Sequence, residues 1–168
     1  MALAPGQIAA LEAALTEAAS YFDRPPSEKG GGRAFRYEGG LDGGRELLSY
    51  RPQPIDLAAA ATGARDATLN AALSGAFATF AAAARALLRG ICIGAGLDYE
   101  RDLAPYVDAP LSESGSALRL QPPHSQLDVI RYAEEGYSRR HFDASLVTIV
   151  YSPGIKFVIF AIAIATYV

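Results

Sequence analysis

The sequence predicts an α+β protein, with helices in the first part of the chain and a sheet in the second. Apolar residues recur at helical spacing as far as Tyr106, whereas from Ser116 onward β-branched and alternating segments flanked by turn residues dominate. The chain has 168 residues and is 51% hydrophobic, which is typical of one globular domain with its own core. We therefore expect a layer of helices packed against one sheet.

Two amphipathic helices are predicted. From Ala4 to Phe22 the apolar residues follow helical spacing, and Pro25-Pro26 ends the pattern. A longer helix is predicted from about Asp66 to Ile93, and Gly94-Ala95-Gly96 ends it. Its predicted buried stripe is Leu69, Leu73, Phe77, Phe80, either Leu87 or Leu88, and Ile91.

Shorter elements lie between and after these helices. The segment from Asp23 to Gly44 is rich in glycine and charge and reads as a surface loop, whose centre Ala34–Tyr37 is either an edge strand or an ordered turn. A short helix is predicted over Ile55–Ala64, and one or two helical turns over Asp98–Tyr106.

The second part of the chain reads as strands. Extended structure is predicted for Ser116–Leu120, Leu127–Tyr132, Ser138–Phe142, Ser145–Tyr151 and Lys156–Val168. Pro122-Pro123 marks a soft boundary between a helical region with a glycine-rich loop (1–122) and a β region (123–168). The segment Ile155–Val168 is almost continuously apolar but shorter than a membrane span, so we expect a buried strand, with a membrane anchor as the alternative.

Charge and cysteine content narrow the function classes. The formal net charge is −3, with both signs mixed along the chain, whereas nucleic acids and anionic membranes call for a concentrated basic face. We therefore expect neither of these partners. The lone cysteine, Cys92, lies in an apolar run and is expected to pack as a small hydrophobic side chain. The absence of a disulfide pair and of an export signal predicts a reducing, cytoplasmic environment.

One candidate metal site stands out. In His141-Phe142-Asp143 the imidazole and the carboxylate are two positions apart, so on a strand they project from the same face and reach one metal ion. They are two of the three ligands of a two-His, one-carboxylate iron site. His124, in a loop, is the only other histidine and the only internal candidate for the third ligand. The alternative is a surface hydrogen bond or ion pair between His141 and Asp143.

Three segments carry a resemblance to a known family. His141–Thr148 reads His-x-Asp-x-Ser-hydrophobic-hydrophobic-Thr, Tyr21–Lys29 contains an aromatic residue, prolines and a final lysine before glycines, and Ser116–Leu120 contains Ser-x-Leu-Arg. Together they resemble the isopenicillin N synthase-like group of 2-oxoglutarate/Fe(II)-dependent oxygenases. The resemblance implies a partial double-stranded β-helix, or jelly roll, after the helical layer. It also implies oxidation or hydroxylation of a small organic substrate.

The resemblance also implies roles for individual residues. His141 and Asp143 would bind Fe(II), and Tyr132 would approach the 2-oxoglutarate co-substrate from the neighbouring strand. The family's distal histidine and its downstream Arg-x-Ser have no counterpart after Asp143, so we expect an incomplete oxygenase chain. The alternative is a non-catalytic remnant that self-associates through exposed strand edges.

Overall fold

The computed structural model describes residues 3–30, 35–41, 44–52, 66–107, 125–133, 147–151 and 158–164. Its helices are α1 (Pro5–Phe22), α2 (Ala67–Gly94) and α3 (Tyr99–Asp102), with 3₁₀ turns at Pro26–Glu28 and Ala104–Tyr106. Its strands are β1 (Phe35–Leu41), β2 (Arg45–Tyr50), β3 (Gln126–Tyr132), β4 (Val147–Tyr151) and β5 (Val158–Ile164). The expected mixture of helices with a sheet is confirmed.

The five strands form one antiparallel sheet in the order β1-β2-β3-β5-β4. Residue pairing aligns Glu46 with Arg131, Ser49 with Asp128, and Val129 with Phe160. Because β2 pairs with β3, the sheet joins residues from both sides of the predicted boundary at 122/123. The two regions of the sequence therefore share one sheet.

The main core lies between the helices and one face of the sheet. The helices contribute Leu11, Ala14, Ala18, Tyr21 and Phe22 of α1 and Leu69, Leu73, Ala76, Phe77, Phe80 and Ala81 of α2. Phe35, Leu48, Tyr50, Leu127 and Val129 meet them from the sheet. On β2 and on β3 the two buried residues are two positions apart, so they share the face that is turned toward the helices.

The two long helices are confirmed within one residue of their predicted ends. In the predicted stripe of α2, Leu88 is buried and Leu87 is exposed, which resolves that alternative. Ile91 is exposed, so its prediction as a core residue is wrong. Within the described part of the chain, the end of α2 packs on a small second core of Leu88, Cys92 and Tyr99, and helical periodicity alone does not reveal where the partner surface ends.

The predicted order, helices first and sheet afterwards, is wrong because β1 and β2 precede α2. The segment Asp23–Gly44 looks like a loop because its charges suit solvent, and β1 is an edge strand with Arg36 exposed. β2 is not predicted from the sequence because Glu46 interrupts the alternation of apolar and polar residues. Glu46 lies on the helix-facing side, where partners distant in sequence neutralise its charge.

Some of the remaining predictions fall on described residues and can be compared with the structure, and others do not. The strands at Leu127–Tyr132, Ser145–Tyr151 and Lys156–Val168 are confirmed over 127–132, 147–151 and 158–164, and the turns over Asp98–Tyr106 are also confirmed. α2 ends as expected, since Gly96 has φ +70° and the Leu97 N–H donates to the Cys92 carbonyl at 2.8 Å. The predictions for Ile55–Ala64, Ser116–Leu120 and Ser138–Phe142 lie outside the described residues.

Two further expectations concern α2. Cys92 is buried beside Leu88 and Tyr99 and packs as a small hydrophobic side chain, as predicted. Among the described residues, α2 is the one helix that is long and apolar enough to cross a membrane. Half of its most apolar window is buried inside the protein, because α2 is also the central helix of the core.

Candidate functional site

The predicted metal ligands immediately precede β4. His141, Asp143 and His124 lie outside the described residues, while Val147, four positions after Asp143, begins β4. Within the described ranges, no three His, Cys, Asp or Glu side chains converge on one point. Because both histidines of the chain are outside those ranges, this observation leaves the predicted dyad untested.

Tyr132 lies at the end of β3, on the face of the sheet that is turned away from the helices. β3 is flanked by β2 and β5, so β5, and not β3, is the neighbour of β4. The pairings of Val147 with Ile164 and of Gln126 with Ala163 put the start of β4 at the Gln126 end of β3. Tyr132 is six residues, or about 20 Å, from that end. β3 is therefore not the neighbour of the strand that follows the motif, while the residues of the motif itself lie outside the described part of the chain.

Polar residues occupy both ends of this outer face. Arg45 and Tyr132 are paired across β2 and β3 at one end, and Ser49 and Asp128 are paired nearer the other end. Among the described residues, the Arg45 Nε is a buried donor without a hydrogen-bond partner. Neither Arg45 nor Asp128 stood out in the sequence, because the local pattern does not show that their polar groups become buried.

Asp128 is held in a polar network. The Gln126 Nε2 donates to the Asp128 Oδ1 at 2.8 Å, and the Arg51 Nε donates to the Gln126 Oε1 at 3.1 Å. Burial raises the pKa of Asp128, and hydrogen bonds from Ser49 and Gln126 only partly oppose that effect. The carboxylate is therefore less stable in this environment than in water.

We expect Asp128→Asn to stabilise the protein slightly at pH 7, by up to about 1 kcal/mol. The raised pKa means that the charged form costs stability, and this cost develops as the pH rises from the ordinary value of 3.8 through the pKa of the folded protein. The advantage of the variant should therefore shrink at pH 4. Urea denaturation at the two pH values measures it, and a variant that is less stable than wild type at pH 7 would contradict the prediction.

A second polar group, the Glu46 cluster, lies on the helix-facing side and comprises Asp23, Lys29, Tyr37, Glu46 and Arg131. Lys29 Nζ donates to Glu46 Oε1 at 2.8 Å, and Tyr37 Oη donates to the same oxygen at 2.5 Å. Arg131 donates to Glu46 Oε2 through Nε at 2.7 Å and also through its Nη2. Its Nη1 reaches Asp23 at 2.6 Å. Both oxygens of Glu46 are thus occupied by protein donors.

The cluster fixes the charge state of Glu46. Burial by itself raises the pKa of Glu46, but the hydrogen bonds from Lys29, Tyr37 and Arg131 outweigh burial and hold that pKa below its ordinary value. Burial and the hydrogen bond to Glu46 raise the pKa of Tyr37 to about 12. Glu46 is ionised and saturated with donors, so it offers no open position to a ligand. The cluster joins the loop after α1 to β2 and β3.

The Glu46 cluster also accounts for part of the Tyr21–Lys29 segment. Tyr21 is buried in the core, and its hydroxyl donates to the Gly30 carbonyl at 2.7 Å. The Lys29 side chain, which is only 8% exposed, forms an ion pair with Glu46 at the end of this segment. In this chain Tyr21 therefore ties the loop to α1, and Lys29 ties it to β2.

Comparisons with protein-family models, curated proteins and solved structures find no match to this chain. Three features of the chain itself point to a function. These are the His141–Thr148 motif, the antiparallel sheet into which it leads, and the polar face of that sheet opposite the helices.

Proposed function

We propose that this chain derives from the isopenicillin N synthase-like oxygenases and binds Fe(II) through His141 and Asp143. One observation carries the proposal: the motif His141–Thr148 leads directly into β4, at the end of an antiparallel sheet backed by helices. The corresponding activity is 2-oxoglutarate-dependent oxidation or hydroxylation of a small organic substrate. The motif supplies this assignment, and the sheet supports it.

The two faces of the sheet support a partial jelly roll. A jelly roll packs two sheets face to face, and helices α1 and α2 already cover one face here. On the other face Ser49 is only 6% exposed, and Leu47 and Ile130 are half-buried. A face that is partly shielded from solvent and lies opposite the helices is suited to packing against a second sheet.

The donor types of the dyad fit iron. Imidazole and carboxylate are the ligands of non-haem Fe(II) sites, and bound Fe(II) supplies open positions for 2-oxoglutarate and dioxygen. His141 and Asp143 would hold the ion, and His124 is the only further histidine in the printed sequence. Between Asp143 and Val168 the sequence contains no Arg-x-Ser, the motif with which the family binds the far carboxylate of 2-oxoglutarate.

We also propose that Tyr132 contacts 2-oxoglutarate, because its side chain lies on the outer face of the sheet. Its Cα partner Arg45 projects from the same face of the sheet and brings a cation to that end. A carboxylate bound there would have a phenol and a guanidinium as partners. The pair lies at the end of β3 remote from the start of β4, so this contact and iron binding are separable parts of the proposal.

Anaerobic titration with Fe(II), with and without saturating 2-oxoglutarate, tests the proposal through the metal-to-ligand charge-transfer absorption. We expect the band to appear in the wild-type chain and to be lost in His141→Ala and Asp143→Ala. Glu38→Gln is the matched control, since this carboxylate lies on β1, at the other edge of the described sheet from β4, and its removal should leave the band unchanged. No band in the wild type at saturating reagents would refute the proposal.

The second candidate is a non-catalytic remnant that associates through the edges of its sheet. It is favoured by the composition of β4, which is the last strand of the sheet within the described residues, contains no charged residue and leaves Val150 exposed. Charged residues protect edge strands from pairing with other chains, as Arg36 and Glu38 do on β1. The same titration separates the two candidates, because the remnant gives no charge-transfer band.

A further inference from the structure

The last part of α2 carries an exposed apolar surface, which we call the α2 patch. Its large side chains are Leu87, Ile91 and Ile93 on the helix and Leu97 just after it, with exposed fractions of 47%, 53%, 78% and 52%. The earlier part of α2 is enclosed by α1 and the sheet, whereas this part rests on the small second core through Leu88 and Cys92. Contiguous exposed apolar side chains of this kind mark interaction surfaces.

Glycines lie at the centre of the patch. Gly90 and Gly94 are four positions apart and so lie on one side of the helix. Viewed along the helix axis, this side falls between the side chains of Ile91 and Ile93. Among the described residues, a Cβ added to either glycine would meet no atom within 4 Å. Glycine lowers helix stability relative to alanine, and packing within the described part of the chain gives no reason for it at these positions. Exposed glycines allow the backbone of a second helix to approach closely.

The charge of the patch is compatible with an identical partner. α2 contains no acidic residue, and the charged residue nearest the glycines is Arg89. Arg89 is engaged elsewhere, because its Nη2 donates to Glu100 at 2.8 Å and its guanidinium lies 4.7 Å from the centre of the Tyr99 ring. Two copies of the patch therefore meet without an uncompensated pair of like charges.

We propose that the α2 patch binds the same patch of a second copy, with the two helices crossing at Gly90 and Gly94. Such a contact is symmetric, so each apolar residue serves on both sides. The four large side chains expose on the order of 300–400 Å² per copy, and with the glycine backbone two copies approach the roughly 1,000 Å² of a small specific interface. The dimer is expected to be weak and concentration-dependent. This inference is independent of iron binding.

Sedimentation velocity of the full chain, from about 1 to 200 µM, tests the proposal. The wild type should pass from monomer to dimer over this range. Ile91→Glu should weaken association at least roughly tenfold, because it would bury two like charges at the crossing. Ala78→Glu is the matched control: it is also an exposed α2 position, but it lies about 18 Å along the helix from Gly90 and should leave association unchanged.

Gly90→Ala separates the dimer from folding. In the monomer the added methyl has open space and favours the helix, so the melting temperature measured at low concentration should rise. In the dimer the same methyl holds the helices apart, so association should weaken.

Three results would overturn the proposal: a wild type that stays monomeric at 200 µM, equal effects of Ile91→Glu and Ala78→Glu, or a dimer unaffected by Gly90→Ala. A monomer that binds phosphatidylcholine vesicles through Leu87 and Ile91 would identify a lipid surface as the occupant. Association through β4 would survive Ile91→Glu.

Discussion

Glu46→Gln is expected to lower the free energy of unfolding by about 2–3 kcal/mol. The substitution keeps the shape of the side chain but removes the negative charge that Lys29 and Arg131 share, and the Lys29 side chain is almost fully buried. A buried cation without a counter-charge is costly. Glu38→Gln is the matched control, because the Arg36–Glu38 pair is much more exposed and should contribute less than about 1 kcal/mol.

The pH dependence of this effect provides a second measurement. The pKa of Glu46 is held below its ordinary value of 4.5, so its contribution is fully present above that pH and is lost as the pH falls through the pKa of the folded protein. The stability difference between wild type and Glu46→Gln should therefore be constant from about pH 6 to 8 and shrink below pH 4.5. Urea denaturation followed by circular dichroism measures both effects. Equal losses in Glu46→Gln and Glu38→Gln would contradict the assigned role of the cluster.

The Glu46 cluster also explains which strands could be predicted from the sequence. β4 and β5 are rich in β-branched residues and β3 contains Val129-Ile130, and these signals are local. β2 places a carboxylate on the core-facing side, and that is stable only because Lys29 and Arg131 arrive from 17 positions before and 85 positions after it. A local pattern cannot report partners at such separations. Ile91 is the opposite case, a residue that the local pattern predicts to be buried but that is exposed. The helical spacing of apolar residues continues beyond the surface that α2 packs against.

The candidate site, like the strands, could be predicted from the sequence only where the signal is local. The His-x-Asp motif is visible in the sequence because its ligands are two positions apart, and so is its position before a β-branched strand. The strand order is not visible, and it separates Tyr132 from the strand that follows the motif. The raised pKa of Asp128 and the unpartnered Nε of Arg45 both result from burial on one face of the sheet. That burial depends on the pairing of β2 with β3, which the sequence does not show.

That pairing makes a sharp prediction for two adjacent leucines of β2. Leu48 is fully buried against the helices, and Leu48→Ala should lower the free energy of unfolding by about 3 kcal/mol through lost contacts and the cavity left behind. Leu47 projects from the outer face and is half-buried, so Leu47→Ala should cost about 1 kcal/mol. Both substitutions remove the same atoms from the same strand, so their difference isolates the environment of the side chain.

Chemical denaturation of the two leucine variants measures that difference directly. A large loss in Leu48→Ala with a small one in Leu47→Ala places the dominant core between the sheet and the helices, as the alternation along β2 and β3 requires. Equal losses would contradict this arrangement. They would show that the outer face is packed as tightly as the helix-facing side.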